Sequence, residues 1–132
     1  MHPKTVTKRW GFEQIYVNHG YCMKVMHVLP STFSSIHRHN KKDETFYVAQ
    51  GPLLLETGKL ANALHPRTLN TGDVYRVSPR TWHRFSNVGL ETAIFVEAST
   101  PDDPIDTDRA TQSGTFWSVA EMENRLGTKC NG

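Results

Sequence analysis

The residues best suited to chemistry lie in one short stretch, Ser34-Ser35-Ile36-His37-Arg38-His39. On a strand, positions i and i+2 project to the same face, so His37 and His39 point side by side into one space. Glu44 follows His39 after Asn40 to Asp43, four residues that can bend the chain and return the carboxylate to that space. Far along the chain, Trp82-His83-Arg84-Phe85 supplies a third imidazole. Three neutral imidazoles and one carboxylate form a mixed nitrogen–oxygen set for one divalent metal ion: manganese, zinc or iron, with nickel or copper also suited to it. Seven histidines occur in the chain. A single His on a strand is most often a surface or satisfied core residue, so His-x-His alone does not establish a metal centre.

Such ligands need strands to position them, and the chain reads as strands. Tyr16-Val17, Tyr21 to Leu29, Phe33 to His39, Thr45 to Ala49, Leu53 to Glu56, Val74 to Val77, His83 to Asn87 and Thr92 to Ala98 are short β-prone runs. Turn chemistry separates many of them, at Asn18-His19-Gly20, Pro30-Ser31, Gly51-Pro52, Asn70 to Asp73 and Asn87-Val88-Gly89. This punctuation predicts an all-β sandwich or barrel. From Ser99 to Ser113 the strand signal stops, and Thr100-Pro101-Asp102-Asp103-Pro104 opens an acidic segment expected to cross the barrel surface as an ordered loop. Ser118 followed by Glu121 is a capping-box pattern that predicts one short helix from about Val119 to Leu126, ended by Gly127.

Composition sets the outer bounds. The 132 residues suit a single domain, with 37% hydrophobic and 21% charged residues. No run approaches the roughly 18 consecutive apolar residues of a membrane-spanning helix. The basic start, Met1 to Trp10, leads into no apolar segment of signal-peptide length, so a cytoplasmic location is expected. Net charge is +2 and the basic residues are scattered, which argues against nucleic acid as a partner. Cys22 and Cys130 fit neither a zinc clip nor a disulfide framework, and Cys22 reads as a small core residue.

The ligand residues sit in a frame that resembles the cupin superfamily. The first cupin motif is matched as His37-x-His39-x(4)-Glu44-x(6)-Gly51, and the second as Gly72-x(5)-Ser78-Pro79-Arg80-x(2)-His83-x(3)-Asn87. Ser78 stands where the pattern has Pro, and Arg80 where it has Gly. The resemblance implies a single cupin double-stranded β-helix, a jelly-roll barrel, with core from about 8 to 98 and the loop and helix in 99 to 132. It places the metal inside on His37, His39, Glu44 and His83, with Gly51 and Gly72 at turns.

A narrower resemblance is to the sugar isomerase cupins, which include the cupin domain of type II mannose-6-phosphate isomerases and the D-lyxose isomerase-like proteins. Lys8-Arg9-Trp10-Gly11-Phe12-Glu13 is similar to their Lys/Arg-Pro-Trp-Gly entry, with Arg9 in the proline's place. Tyr21 to Val25, His83 to Asn87, and Val96 to Arg109 are similar to three further segments of that group. The implied activity is metal-dependent aldose–ketose isomerisation of a sugar or sugar phosphate through an enediol. Lys24, Glu44, Glu56 and Arg84 are the catalytic candidates, and His27 is a further possible base. The resemblance treats Lys24 as a site residue. Strand parity argues the reverse, because an apolar interior favours Tyr21, Met23, Val25 and His27 over Cys22, Lys24 and Met26. Trp10, Trp82 and Trp117 are candidates to stack on a sugar or to pack. Two alternatives stay open, a non-haem iron cupin dioxygenase and a non-catalytic sugar-binding cupin. A homodimer is expected, since strand edges need cover.

Overall fold

The structure is a computed structural model and describes residues 2–116. The expected helix from about Val119, together with Trp117 and Cys130, lies outside the described residues.

Two antiparallel sheets face each other as a jelly-roll barrel. The first holds β1 (Lys4–Lys8), β2 (Gly11–Asn18), β3 (Cys22–Val28), β11 (Ala93–Ser99), β6 (Glu44–Gln50) and β9 (Val74–Val77), in that spatial order. In the second, β10 (Trp82–Asn87) pairs on one side with β4 (Thr32–Phe33) and β5 (His37–His39), and on the other with β7 (Leu53–Gly58). β8 (His65–Leu69) lies outside β7. β12 (Thr107–Arg109) and β13 (Gly114–Thr115) cover β5 and β4.

Alternation sorts the side chains. Met26, Val28, Phe46, Val48, Leu53, Leu55, Phe85 and Phe95 turn inward and form one continuous apolar core with Trp10 at its edge. At 25 cal/mol per Å² of buried apolar surface, side chains of this size each contribute about 2 kcal/mol. Cys22 is fully buried, as a small core residue should be. The core fills only one end of the barrel; toward the other end, inward positions become polar.

The expected run from Phe33 to His39 is interrupted at Ser34-Ser35-Ile36, although β4 and β5 lie along the same edge of β10. The Ser34 hydroxyl accepts from Phe85 N (3.1 Å), taking the role a backbone carbonyl has in a regular ladder. β1 and β8 gave no sequence signal, because both are edge strands whose residues are mainly exposed and lack alternation. The loop expected beyond Ser99 is ordered, but it carries a short 3₁₀ turn (Pro104–Asp106) and then β12 and β13, so it extends the second sheet.

Two backbone positions of the second motif carry a positive φ. Gly72 takes φ +92°, in keeping with its expected turn role. Arg80, standing in the place of the motif's Gly, takes the left-handed conformation a glycine would favour, with φ +66°. Its N–H donates to His39 O at 2.7 Å, so the turn ties β10 to the histidine strand despite the substitution.

Candidate metal centre

His83 and His37 are direct cross-strand partners on β10 and β5, with ring centroids 4.3 Å apart. His39 joins them two residues along β5. The ligand-capable atoms of the three imidazoles all lie within 4.8 Å of one another, so these residues can hold a metal ion. Glu44 reaches the same space from the opposite sheet. Its Oε2 is 3.4 Å from His39 Nε2 and 3.5 Å from His83 Nε2.

Each imidazole is anchored through Nδ1. His37 bonds to Ser35 O (2.9 Å), His83 to Thr81 O (2.9 Å) and His39 to Thr107 Oγ1 (3.1 Å). A carbonyl only accepts, so Nδ1 of His37 and His83 carries the proton and Nε2 presents its lone pair. His83 Nε2 is buried with no hydrogen-bond partner among the described residues. An orphaned buried nitrogen costs about 1–3 kcal/mol, and a metal ligand role accounts for it. The donor set therefore fits a divalent ion.

Electrostatics agrees with neutral imidazoles. Burial depresses His37 well below the ordinary histidine range, with His83 adding to the effect, and burial lowers His83 to about 4. Burial also raises Glu44, and the neighbouring Glu97 raises it further.

The ligands open into a cavity of about 670 Å³ whose wall carries a run of alternating charges absent from the sequence-based expectation. Glu97 accepts from Lys42 Nζ at 2.7 Å, and Lys42 also donates to Asp102 (3.0 Å). Asp102 accepts from Lys24 Nζ (3.0 Å), and Lys24 lies 3.5 Å from Glu13. Burial pulls Lys24 down, but Glu97 and Glu13 outweigh it and the ammonium is held above its ordinary range. Burial pushes Asp102 up, yet Lys42 and Lys24 bring it down to about 2.

These placements revise several expectations. Lys24 is only 5% exposed and lines the cavity with Met26, while Tyr21 and Met23 are exposed, so the parity argument that turned Lys24 outward is overturned. It failed because three carboxylates gather around one inward ammonium. Glu56 and Arg84 are not brought to the cavity. They are cross-strand neighbours joined by two hydrogen bonds of 2.9 and 3.0 Å, on the face of β10 opposite His83 and Phe85. His27 also faces away, stacked on Phe12 and bonded to Gln14 Oε1 at 3.0 Å. Trp10 lines the cavity and packs edge-on against Phe85, while Trp82 meets the Arg38 guanidinium. Glu13, Glu97 and Asp102 were missed, and Lys42, which with Lys41 reads from sequence as a solvated loop able to meet an anionic substrate at the barrel mouth, is buried in the cavity wall. The Glu13-x(10)-Lys24 pairing becomes visible only once β2 and β3 are placed in register.

Comparison with known proteins adds the following. A family model described as "Cupin domain" matches residues 24–99. No curated protein matches the sequence. Among solved structures, the capsular polysaccharide assembling protein CapF of Staphylococcus aureus is similar over 82% of this chain and 31% of its own, with 16% identity and a TM-score of 0.73. Bacillus subtilis oxalate decarboxylase, a protein with Mn(II) centres, is similar over 83% of this chain and 30% of its own, at 19% identity and a TM-score of 0.68. An oxalate oxidase is similar over 69% of this chain and 46% of its own, at 24% identity and a TM-score of 0.60. The chain thus spans less than half the length of these neighbours, and at such identities the likeness is one of fold.

Proposed function

Since the chain belongs to the cupin family, we propose that it is a metal-dependent aldose–ketose isomerase acting on a small sugar or sugar phosphate. The observation that carries this reading is that the His37, His39, His83 and Glu44 cluster shares one polar cavity with the Glu13–Lys24–Asp102–Lys42–Glu97 charge run. Sugar isomerisation needs both features, hydrogen-bonding walls for a polyol and groups that carry a proton between adjacent carbons.

In this reading His37, His39, His83 and Glu44 hold one divalent ion, with manganese or zinc suited to chemistry that changes no oxidation state. Bound there, the ion supplies Lewis-acid stabilisation of negative charge on the substrate's carbonyl and neighbouring hydroxyl oxygens. Lys24 is kept as an ammonium by its carboxylate neighbours and so serves as a hydrogen-bond donor to a substrate oxygen, not as a base. Glu13, which lines the cavity beside Lys24, is taken in this reading as the base that removes the proton from one carbon and returns it to the next. The net reaction moves two hydrogens within the substrate and consumes nothing. Phe46 and Phe85 close the cavity behind His83 and limit water around the imidazoles. Glu56 and Arg84 take no part.

The test is to load purified protein with Mn(II) or Zn(II) and follow aldoses and sugar phosphates by proton NMR in D₂O. Ketose formation that needs no oxygen supports the proposal. Oxygen uptake with a thiol or diketone would assign the site to a dioxygenase, and sugar binding without turnover would make the protein a binder.

A further inference from the structure

The acidic segment that follows the last long strand makes a set of contacts with the metal motif that the reaction itself does not require. The connection from His39 to Glu44 crosses from one sheet to the other, and its length and shape decide how far apart two ligands stand. Asp106 sits against that connection. Its carboxylate accepts from three successive backbone N–H groups: Asn40 (3.1 Å), Lys41 (2.9 Å to one oxygen, 3.2 Å to the other) and Lys42 (3.0 Å). Successive N–H groups converging on one anion form a nest, which holds a turn in a single shape.

The next residue acts on a ligand directly. Thr107 stands opposite His39 in the β12–β5 register, and its Oγ1 is 3.1 Å from His39 Nδ1. The hydroxyl can accept from Nδ1–H, and in that tautomer His39 Nε2 keeps the lone pair that faces Glu44. Four residues later Thr111 Oγ1 accepts from Ile36 N (2.9 Å), beside His37. The Asp108 carboxylate, between them in sequence, makes exposed hydrogen bonds to Arg38 (3.0 Å) and Asn40 Nδ2 (3.3 Å).

We infer that Asp106 and Thr107 are positioning residues of the metal centre, Asp106 setting the turn that spaces His39 from Glu44 and Thr107 holding the ring orientation of His39. The segment is thus an outer shell of the site and not only a cover of the barrel. This rests on the reading of His37, His39, Glu44 and His83 as metal ligands and is independent of the reaction.

Co(II) is the probe, because its affinity is read by calorimetry and its visible spectrum reports ligand geometry. Removing such outer partners typically weakens metal binding about 10- to 100-fold. Thr107→Val is expected to weaken Co(II) binding about 10-fold and alter the visible bands, with Thr107→Ser restoring both. Asp106→Ala is expected to weaken binding at least as much, while Asp108→Ala keeps the wild-type affinity and spectrum. Wild-type affinity and bands in both Thr107→Val and Asp106→Ala would overturn the inference and leave the metal reading standing. So would an equal loss in Asp108→Ala, which would reduce the effect to docking of the segment. Wild-type protein that takes up no Co(II) would overturn both. Should Asp106→Ala fail to fold, the Thr107→Val and Thr107→Ser pair decides the matter, since valine preserves the shape of threonine.

Discussion

Lys24 Nζ lies 3.0 Å from Asp102 Oδ2, and the other oxygen of the same carboxylate is 3.0 Å from Lys42 Nζ. One aspartate in the segment beyond the barrel therefore bridges two lysines, one from β3 and one from the turn before β6, both almost fully buried. Those lysines reach inward only because Asp102, Glu97 and Glu13 meet them there. Removing one partner of a buried charge group costs more than the group is worth as a whole, because a charge is left without compensation.

Asp102→Ala is accordingly expected to destabilise the protein by about 2–3 kcal/mol, read by chemical denaturation at neutral pH. Its pH dependence has a definite sign. Asp102 is held at about 2, below its ordinary 3.8, so its contribution is present above pH 3.8 and fades as pH falls toward 2. Asp102→Asn should remove that acid-side loss of stability, and a wild-type slope retained in the variant would refute the assignment.

Glu13→Gln should lower kcat about 100-fold or more while metal content stays at the wild-type level. Deuterium incorporation from D₂O into the sugar should fall in parallel. A variant that keeps full exchange and turnover would remove Glu13 from the proton-transfer role.

His83 gives a second pH window, in the metal-free protein. Burial lowers it to about 4, whereas in the unfolded chain it titrates near 6.5, so unfolded protein takes up protons that folded protein refuses between those values. Stability should therefore fall as pH drops from about 6.5 to about 4 and respond less to His83 below that range. His83→Gln should show a shallower decline in denaturation midpoints measured across the window. Saturating Mn(II) should raise the whole wild-type curve without flattening this decline, because a ligated imidazole refuses the proton as the buried free one does while the unfolded chain still takes it up.

Glu56 and Arg84 make a buried pair on the face turned away from the cavity, with side chains 7% and 13% exposed. Arg84→Met alone leaves Glu56 buried and unpaired and is expected to cost about 3 kcal/mol. The double variant Arg84→Met, Glu56→Leu should recover most of that loss. Metal affinity and turnover per folded molecule should be unchanged throughout, and a loss of turnover in the stable double variant would return the pair to the site.

Arg80→Gly restores the residue that the second motif has at this turn. A left-handed non-glycine residue carries about 1–2 kcal/mol of strain, and glycine's greater freedom in the unfolded chain offsets about 0.5–1 kcal/mol of the relief. A net gain of up to about 1 kcal/mol is expected, visible as a rise of a few degrees in Tm. A lowered Tm would mean that the Arg80 side chain contributes more than its backbone loses.

Much of this protein was legible before any coordinates. Short β-prone runs with turn residues between them specified an all-β barrel, because alternation and turn chemistry are local properties. The i and i+2 relation set His37 and His39 on one face, and the spacing of both motifs singled out Glu44 and His83. Strands without a buried stripe, β1 and β8, were silent for the same reason: an edge strand with both faces wet has no period to read.

The face that Lys24 presents, the partner that Arg84 takes and the role of residues 102–107 were decided by tertiary structure alone. Each depends on charges separated by tens of residues in the chain: Lys24 with Asp102, Lys42 with Glu97, and Asp106 with the N–H groups of Asn40 to Lys42. A parity rule weighs whether a side chain is apolar, and it sends a lysine outward by default. Burial of an ammonium becomes favourable only where opposite charges converge on it, and that convergence is a property of register and packing that no single strand contains.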